Sequence, residues 1–320
     1  HRLPSRRIQP FVDVTASGAP SLAETAKAIY IGSDITSATV FDGLYVRGGA
    51  AGTNHTCGIH IDQGNPTITN SYVNGGGGSY TIGIYVWNSS DLRFSTNHVI
   101  GGDMVDLEST GIYSDSATLT LTDNIIDGGC GGGNVCTALD LRYTTATVTD
   151  NTIIGGTGGN ARGFYIDGES YVDILNNTVH VSNDTEAYGE FYGVVTWSGD
   201  TNIINNVFNI NGLLDPHTVY GVVLNASNTT IVNNTFQLST AVSGDAHGVT
   251  AWGSYNGTVI ENNIITTESP SGYSYALYIE NASSIANNNM SGFDFYAWLG
   301  QGIEDLDTTE ITTDAGTGTL

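Results

Sequence analysis

Residues 119–129, LTLTDNIIDGG, return 27 positions later as residues 146–156, ATVTDNTIIGG. In each copy a β-rich tripeptide precedes an Asn, and an apolar residue follows that Asn by two positions. The phrase occurs nine times, and successive anchor Asn residues are separated by 27, 27, 27, 26, 29, 28, 29 and 25 residues. The anchors are Asn70, Asn97, Asn124, Asn151, Asn177, Asn206, Asn234, Asn263 and Asn288. A fixed period of this length indicates repeats that bury their apolar side only against their neighbours.

A second landmark lies between the anchors, where a Gly or Ala opens a strand. The landmarks are Gly58, Gly83, Gly111, Ala138, Gly163, Gly193, Gly221, Gly248 and Ala276. Three positions of each repeat are apolar throughout, except for Thr67. They are Ile59, Ile84, Ile112, Leu139, Phe164, Val194, Val222, Val249 and Leu277 after the landmarks; Phe94, Leu121, Val148, Ile174, Ile203, Ile231, Ile260 and Ile285 before the anchors; and Tyr72, Val99, Ile126, Ile153, Val179, Phe208, Phe236, Ile265 and Met290 after them. Three inward stacks in each repeat predict a three-sided coil, and short alternating strands joined by Asn and Gly turns predict a parallel β-solenoid.

The repeated Asn has a physical explanation. At a tight turn Asn tolerates left-handed dihedral angles. In register, each side-chain amide can donate a hydrogen bond to the copy above and accept one from the copy below, so that a buried ladder satisfies its own polar groups. VFDGLYVRGG, with Gly43 in the Asn place, extends the series upstream by another 27 residues.

With these features the chain resembles the pectate-lyase-like superfamily of right-handed parallel β-helices, most closely secreted bacterial proteins with a degenerate parallel β-helix repeat and an opening similar to VFDGLYVRGG. The resemblance covers most of residues 28–298 and implies the right-handed coil. The superfamily includes polysaccharide lyases, glycoside hydrolases, phage tailspikes, adhesins and non-catalytic surface proteins, so it implies an architecture rather than an activity. We expect an all-β chain that forms a single right-handed, three-sided parallel β-helix of about ten coils.

The chain divides into four segments in this interpretation. Residues 1–20 lack the repeat and form a basic arm, and residues 21–42 contain a short cap helix and the first strands. Ser21 followed by Glu24 is a capping-box pattern, which predicts that the helix extends to about Lys27. Residues 43–300 form the β-helix, in which Phe293, Phe295, Tyr296 and Trp298 close the last coil, and residues 301–320 are an acidic tail.

Charge excludes some functions. The chain carries 8 basic and 32 acidic residues, a net charge of −24. A nucleic-acid partner is therefore excluded, because binding requires a basic footprint. No apolar run has the length of a membrane-spanning helix, so membrane insertion is not expected. Residues 1–27 hold four basic and two acidic residues, whereas the remainder holds four and thirty, so the arm is opposite in charge to the body.

The composition and the cysteines favour a secreted, extracellular protein. Charged residues are only 12% of the chain, so Asn, Thr, Ser and Gly cover most of its surface. The chain begins at His1, which favours a processed product. Cys130 and Cys136 share a Gly-rich loop, CGGGNVC, and would form a small disulfide ring in an oxidising compartment. Cys57 lies about three repeats away, too far to pair with either.

One outward face carries large aromatic side chains. Alternation places the second and fourth residues after each landmark outward, and the predicted binding face contains Tyr85, Trp87, Tyr113, Tyr165, Trp197, Trp252 and Tyr278. Exposed aromatic residues of this kind are typical of sugar platforms or protein contacts. Cross-strand stacking that only stabilises the sheet is the plain structural alternative.

Charged residues occupy the middle of the same face. Asp115, Arg142 and Asp167 stand in one column on successive coils, and Asp140 lies beside the Arg. An enzyme could use these carboxylates for acid/base chemistry or for a divalent cation, and the Arg to neutralise a uronate. A charge-balanced ladder explains the same residues without any activity. No cofactor is required, and Ca²⁺ remains an open alternative.

Two features favour a non-catalytic protein. Anchors and landmarks follow one another at intervals of 12 to 16 residues, so no inserted loop could wall a deep cleft. The face has one Arg and no Lys, whereas the pectate lyases that the chain resembles concentrate basic residues. The favoured hypothesis is an extracellular structural protein that associates head to tail with copies of itself, into filaments, through an arm containing Arg2, Arg6, Arg7 and Phe11. The alternative is a polysaccharide lyase, glycoside hydrolase or carbohydrate-binding module.

Overall fold

The chain folds into a β-solenoid in a computed structural model. The structure describes residues 12–15, 26–49, 53–102, 104–129, 135–183, 189–212, 217–225, 228–240, 244–252, 257–268, 273–280, 284–299 and 306–307. All regular structure in these residues is β-strand, so the all-β prediction is confirmed.

Thirty-three strands follow one another along the chain. The first eleven are β1 (Val12–Thr15), β2 (Ala26–Ile31), β3 (Val40–Asp42), β4 (Leu44–Arg47), β5 (Thr53–Asp62), β6 (Thr67–Thr69), β7 (Tyr72–Asn74), β8 (Gly77–Trp87), β9 (Leu92–Ser95), β10 (His98–Ile100) and β11 (Met104–Asp115). The next eleven are β12 (Thr118–Thr122), β13 (Ile125–Asp127), β14 (Val135–Arg142), β15 (Thr145–Thr149), β16 (Thr152–Ile154), β17 (Asn160–Asp167), β18 (Ser170–Leu175), β19 (Thr178–Asn183), β20 (Gly189–Thr196), β21 (Gly199–Ile204) and β22 (Val207–Gly212). The last eleven are β23 (His217–Asn225), β24 (Thr229–Val232), β25 (Thr235–Thr240), β26 (Asp245–Trp252), β27 (Val259–Glu261), β28 (Ile264–Glu268), β29 (Tyr275–Ile279), β30 (Ser284–Ala286), β31 (Asn289–Ser291), β32 (Phe295–Leu299) and β33 (Leu306–Asp307).

The strands form three parallel sheets of eleven strands each. Sheet I contains β1, β4 and every third strand up to β31; sheet II runs in the same way from β2 to β32, and sheet III from β3 to β33. Each strand therefore pairs with the equivalent strand of the next coil. In sheet I, for example, Val99 pairs with Ile126, and Ile126 with Ile153. The three-sided coil is confirmed, with eleven strands in each sheet against the predicted ten or so coils.

The core is the column of space that the three sheets enclose. Apart from Tyr72, the apolar residues of the three repeat positions point into it, and their side chains are 0 or 1% exposed, with Ile59, Phe94 and Val99 as examples. Burying a side chain of this size stabilises the fold by about 1.5–3 kcal/mol. Equivalent residues also stack on one another: the rings of Phe208 and Phe236 are 4.7 Å apart.

The Asn ladder is present, but in the first repeat the ladder position is Ser71 instead of Asn70, so the first Asn of the ladder is Asn97. The Nδ2 of Asn97 donates to the Oδ1 of Asn124 at 3.0 Å, and the same bond repeats upward to Asn288. Below Asn97 the equivalent residue is Ser71, whose N–H donates to the Oδ1 of Asn97 at 3.0 Å. Asn70 is therefore not a member, and Leu44 rather than Gly43 occupies the position one coil below, where its N–H donates to Ser71 Oγ.

Taking Ser71 instead of Asn70 as the ladder residue also removes the two exceptions of the first repeat, Thr67 and Tyr72. With Ser71 as the reference, the inward residue before it is Ile68 instead of Thr67, and the inward residue after it is Val73 instead of Tyr72. Both are fully buried, at 0% exposure. Tyr72 points outward, where its ring stacks on that of Tyr45 at 4.9 Å.

The left-handed turn residue is the one that precedes the ladder residue. Asn70, Thr96, Asp123 and Asn176 have φ values of 50°, 55°, 55° and 56°. The expectation that the ladder Asn itself adopts this conformation was wrong. The two roles are divided between neighbours, because the left-handed residue turns the chain and the next residue directs its amide inward. Asp and Asn are common at the turn position because they tolerate these dihedral angles.

Both ends of the β-helix extend further than predicted. Ala26 and Lys27 belong to strand β2, so the cap helix does not reach Lys27, and the rest of that helix lies outside the described residues. Four residues of the predicted arm form β1, which pairs with β4. At the other end Phe295–Leu299 is a regular strand of sheet II instead of a plug, and Leu306–Asp307, from the predicted tail, pairs with β30.

Candidate functional site

The strands of sheet II bend at their landmark residues, as β8 illustrates. In β8 the exposed fraction shows that Gly83 and Ile84 both point inward, whereas Ile82 and Tyr85 on either side point outward. A Cβ on Gly83 would lie 2.6 Å from the carbonyl oxygen of Gly111, so this close approach requires a glycine. The bend brings the residue before each landmark and the residue two places after it onto the same outer surface.

The structure places the predicted charged cluster in register, as the sequence indicated. Asp115 pairs with Arg142, and Arg142 with Asp167, on successive strands of sheet II. Asp140 is 8% exposed and lies beside Arg142 on the same strand. The Nε of Arg142 donates to Asp140 Oδ1 and its NH2 group donates to Oδ2, both at 2.9 Å.

Aromatic rings hold Arg142 in place. Its guanidinium carbon lies 5.3 Å from the centre of the Tyr113 ring and 5.4 Å from that of Tyr165. The contact with Asp140 raises the pKa of Arg142 still further above its ordinary range, so this group stays charged. Burial raises the pKa of Asp140, and the hydrogen bonds from Arg142 oppose that rise. The pair is a fixed structural unit in which both charged groups have partners.

The other two carboxylates do not join this pair. Asp115 accepts a hydrogen bond from Ser116 Oγ at 2.7 Å. Asp167 accepts one from the Gly168 N–H at 2.8 Å and one from Ser198 Oγ at 3.2 Å. Within the described ranges, Arg142 forms an ion pair with neither, and no group of three His, Cys, Asp or Glu residues is placed to hold a metal ion.

The aromatic residues of the predicted face differ in exposure. Trp87, Trp197 and Trp252 are 41, 45 and 40% exposed. Tyr85 and Tyr113 stack on each other with ring centres 5.2 Å apart, and Tyr278 meets Tyr275 edge to face at 5.6 Å.

Three outward positions of this face are buried. Val195, Val223 and Thr250 are 5, 3 and 2% exposed, although alternation places them outside. They stand on successive strands of sheet II, between the coil of Tyr165 and that of Tyr278. The upper part of the face is therefore covered, and its exposed surface is formed by the larger side chains beside these residues.

Sequence reasoning missed a second aromatic row, which immediately precedes the landmarks. The rings of Tyr192, Tyr220, His247, Tyr275 and Phe295 stack in that order, with centres 4.9, 4.9, 5.7 and 5.0 Å apart. Arg162 continues the row downward and lies 6.0 Å from the centre of the Tyr192 ring. Regular alternation assigns this position to the core, and only the bend at the landmark turns it outward. An aromatic residue directly before four successive landmarks was the available signal.

The cysteines have different states. Cys136 is disulfide-bonded and buried. Cys130, its predicted partner, lies outside the described residues, as do Arg2, Arg6, Arg7 and Phe11 of the predicted assembly arm. Cys57 is free and buried, and burial raises the pKa of its thiol to about 12.

Some apolar residues at the N-terminal end of the core are only partly buried. Six apolar residues pack against the core while remaining partly exposed in the described chain: four belong to β2, β3 and the turn between them, Leu44 lies on β4 above β1, and Ala297 lies on β32, the last strand of sheet II. They are Ala28, Ile29, Ile35, Phe41, Leu44 and Ala297. Ile59 and Ile68, which stand one coil above Ile29 and Phe41, are 0% exposed. At the C-terminal end Ile285 and Met290 are also 0% exposed.

Fold and surface together define a parallel β-helix protein whose candidate site is an elongated outer sheet rather than a cleft. The family model described as "Right handed beta helix region" matches residues 24–208. The chain belongs to this family, and the right-handed coil implied by the resemblance is confirmed. No curated protein matches the sequence. A search of the described residues for a helix long and apolar enough to span a membrane finds none.

Proposed function

We propose that this protein is a secreted structural protein that associates end to end with copies of itself, into filaments, through its N-terminal end and the preceding arm. The observation that carries the proposal is the apolar surface of the first coil. Ile29 and Phe41 are core residues by register, yet they are only partly buried, whereas Ile59 and Ile68 one coil above them are fully buried. Covering such a surface is favourable in proportion to the apolar area removed from water.

The backbone supports the same conclusion. Among the described strands, the first and last of each sheet have a neighbour on one side only. Such edges are templates for pairing with another chain. A second copy is the partner with the best geometric match, since its opposite end presents three parallel strands with the same triangular spacing. The contact joins different surfaces, so it extends into a filament unless rotation closes a ring.

Two further observations favour an extracellular, non-catalytic role. Cys136 forms a disulfide, a bond that persists in oxidising compartments. On the outer face, Asp140 and Arg142 are committed to each other, and Asp115 and Asp167 each accept local hydrogen bonds. A general acid or base must be able to reach the proton that it transfers.

Sedimentation velocity and electron microscopy of the full chain test this function. Val40 lies on the edge strand β3 and is 57% exposed, so Val40→Lys should leave the coil folded and block the end. Val207→Lys is the matched control, because Val207 is 39% exposed on the inner strand β22. We expect filaments or concentration-dependent oligomers from the natural chain and from the control, and monomers from Val40→Lys.

The arm is tested separately by a triple change of Arg2, Arg6 and Arg7 to Gln. Because the arm is basic and the body acidic, we expect weaker association and a smaller dependence on salt. A natural chain that stays monomeric at every concentration contradicts the proposal. Equal association by the natural chain and Val40→Lys contradicts the role of this end.

A second candidate function, carbohydrate binding, is favoured by the exposed Trp residues. Trp197 and Trp252 stand two coils apart, so a ligand that contacts both spans roughly 10 Å. Affinity electrophoresis against neutral and acidic glycans, with Trp197→Ala, Trp252→Ala and the control Tyr171→Ala from sheet III, tests this function. Retardation lost only in the Trp variants supports it, and no retardation of the natural chain contradicts it. Cleavage of a glycan by the natural chain would instead support the lyase or hydrolase alternative.

A further inference from the structure

A cavity of about 230 Å³ lies on the outer surface of sheet II at its N-terminal end. It occupies the strands β2, β5 and β8, below the Arg142 cluster and apart from the upper aromatic row. The cavity is formed by the same bend that turns residues outward on both sides of the landmarks. Carbohydrate binding by the Trp residues does not involve it, whereas its lowest strand, β2, is also the N-terminal edge of sheet II.

Two aromatic pairs form opposite walls of this cavity. His55 and Tyr80 precede the landmarks and stack with ring centres 4.7 Å apart and planes 11° apart. His60 and Tyr85 follow the landmarks and meet edge to face at 4.7 Å. Cys57 and Ile82 lie between these pairs in the strands, and all of these residues line the same cavity.

The floor of the cavity is apolar. Ile82 offers no hydrogen-bonding group, and the thiol of Cys57 already donates to the carbonyl of Ile59 at 3.1 Å. Thr56 is the one aliphatic hydroxyl residue of the lining, and it is 1% exposed. Burial lowers the pKa of His60 to about 4, so its imidazole is neutral at pH 7. A sugar ring needs several polar partners, whereas a flat apolar ring needs only contact with these walls. An apolar cavity of about 150 Å³ is large enough for benzene, so this one holds a single aromatic ring with a small substituent.

One positive charge stands at the lower end of the cavity. Lys27 occupies the position below Cys57 in register, and its ammonium lies 5.2 Å from the centre of the Tyr30 ring. The chain has four acidic residues for each basic one, yet Lys27 forms no ion pair with any described residue. Lys27 lines the cavity, and a charge-assisted bond from a Lys ammonium to a carboxylate is among the stronger hydrogen bonds.

Acidic residues limit how far an anionic ligand can extend. Glu108 pairs in register with Tyr80 one coil above the cavity, and Asp62 lies beside the opposite wall, where it accepts a hydrogen bond from Tyr30. A polyanion that ran upward along the sheet would meet Glu108. The arrangement favours a single carboxylate at the Lys27 end.

We propose that this cavity binds a small aromatic carboxylic acid, with the ring between the His55–Tyr80 and His60–Tyr85 pairs and the carboxylate on Lys27. The ligand class follows from Ile82 between the two aromatic walls, the volume of the cavity and the Lys27 ammonium at its lower end.

Calorimetric titration of the full chain with benzoate and phenylacetate tests the site. Saturable binding of at least one of them is expected, with benzyl alcohol at least about tenfold weaker because it lacks the charge. Lys27→Met should weaken binding of the acid by about tenfold or more, and Ile82→Trp should abolish it by filling the cavity. The matched control is Thr110→Trp, one coil above Ile82 in the same column and outside the cavity.

Several outcomes overturn the proposal. The proposal fails if neither acid binds saturably, or if benzyl alcohol binds as tightly as the acids. It also fails if Ile82→Trp binds the acid as the natural chain does, or if glucuronate binds more tightly than benzoate. Circular dichroism and thermal melting of each variant confirm that a loss of binding is not a loss of folding. These results are independent of assembly, because a chain locked as a monomer by Val40→Lys still contains the complete cavity.

Discussion

The Asn ladder inside the β-helix and the row of residues before the landmarks on the outer face of sheet II each take one residue from every coil. Only the ladder keeps the same residue type from coil to coil. From Asn97 to Asn288 the ladder contains the same residue in every coil, each with a relative exposure of 2% or less. On the outer face the row before the landmarks changes from Lys27, Cys57 and Ile82 at the bottom to stacked Tyr and His rings at the top. The interior is constrained by its neighbours above and below, whereas the outside is free to acquire local chemistry.

The largest effect is expected inside, from Asn177→Ala. Its Nδ2 donates to the carbonyls of Val148 and Leu175 and to Asn206, and its Oδ1 accepts from the backbone N–H and the Nδ2 of Asn151. The change leaves several buried polar groups without partners, so we expect a loss of about 3 kcal/mol or more in the free energy of unfolding. Denaturant titration measures it. The control is Asn209→Ala, a half-exposed Asn on the outside of sheet I, and a loss below about 1 kcal/mol at Asn177 would show that the ladder is not essential.

An intermediate effect is expected from Arg142→Met on the outer face. The change leaves the nearly buried Asp140 carboxylate without its partner. Breaking a fully buried pair costs about 3–5 kcal/mol, but the Arg142 side chain is 40% exposed, so we expect about 1–3 kcal/mol at pH 7. The exposed Arg93–Asp91 pair supplies the control Arg93→Met, for which the expected change is within about 0.5 kcal/mol.

The same variant has a predicted pH dependence. Burial already raises the pKa of Asp140 above its ordinary value although Arg142 opposes the rise, so removing Arg142 raises it further above the unfolded value of about 3.9. The folded state then holds the proton longer than the unfolded state, so the variant loses stability as the pH rises from about 4 toward neutrality. Unfolding curves at pH 4 and pH 7 check this. An equal loss at both pH values would mean that the Asp140 charge is already screened by solvent.

The smallest effect is expected from Tyr220→Leu in the outer aromatic row. The Tyr220 ring stacks on Tyr192 and on His247, each at 4.9 Å, and such contacts contribute roughly 0.5–1.5 kcal/mol beyond burial. We expect a loss of about 1 kcal/mol by thermal or denaturant unfolding. Tyr171→Leu, at a 47% exposed Tyr of sheet III, is the control. If Tyr220→Leu lowered the free energy of unfolding as much as Asn177→Ala, the outer row would be as important for stability as the inner ladder.

Most of the fold could be predicted from the sequence, because the interior repeats. Positions such as Ile59, Phe94 and Val99 recur with a fixed period, and one long-range rule, stacking on the next copy, places them all. The error at Asn70 has a local cause. The left-handed turn residue and the ladder residue are adjacent and both favour Asn, so the first repeat, ITNSYV, could be aligned in two ways. The strand register and the hydrogen bond from Ser71 to Asn97 distinguish them.

Less of the candidate site could be predicted. The Asp115, Arg142 and Asp167 column followed from alternation, but alternation could not show that Arg142 prefers Asp140 on its own strand. It also assigned Tyr220 and His247 to the wrong side, because the bend at the landmark depends on a close backbone contact that only the assembled coil reveals. The cavity at Lys27 was missed for the same reason, as its walls lie on both sides of that bend.

The uniform register has a consequence for the length of the molecule. Every coil adds the same rise, so the distance along the axis between two outward groups is fixed by the number of coils between them, at about 4.8 Å for each coil. The length of a protein built in this way is therefore a whole number of coil rises. Duplication or loss of one inner coil would change the length by one coil rise. The ladder Asn of each remaining inner coil would still contact an Asn above it and an Asn below it.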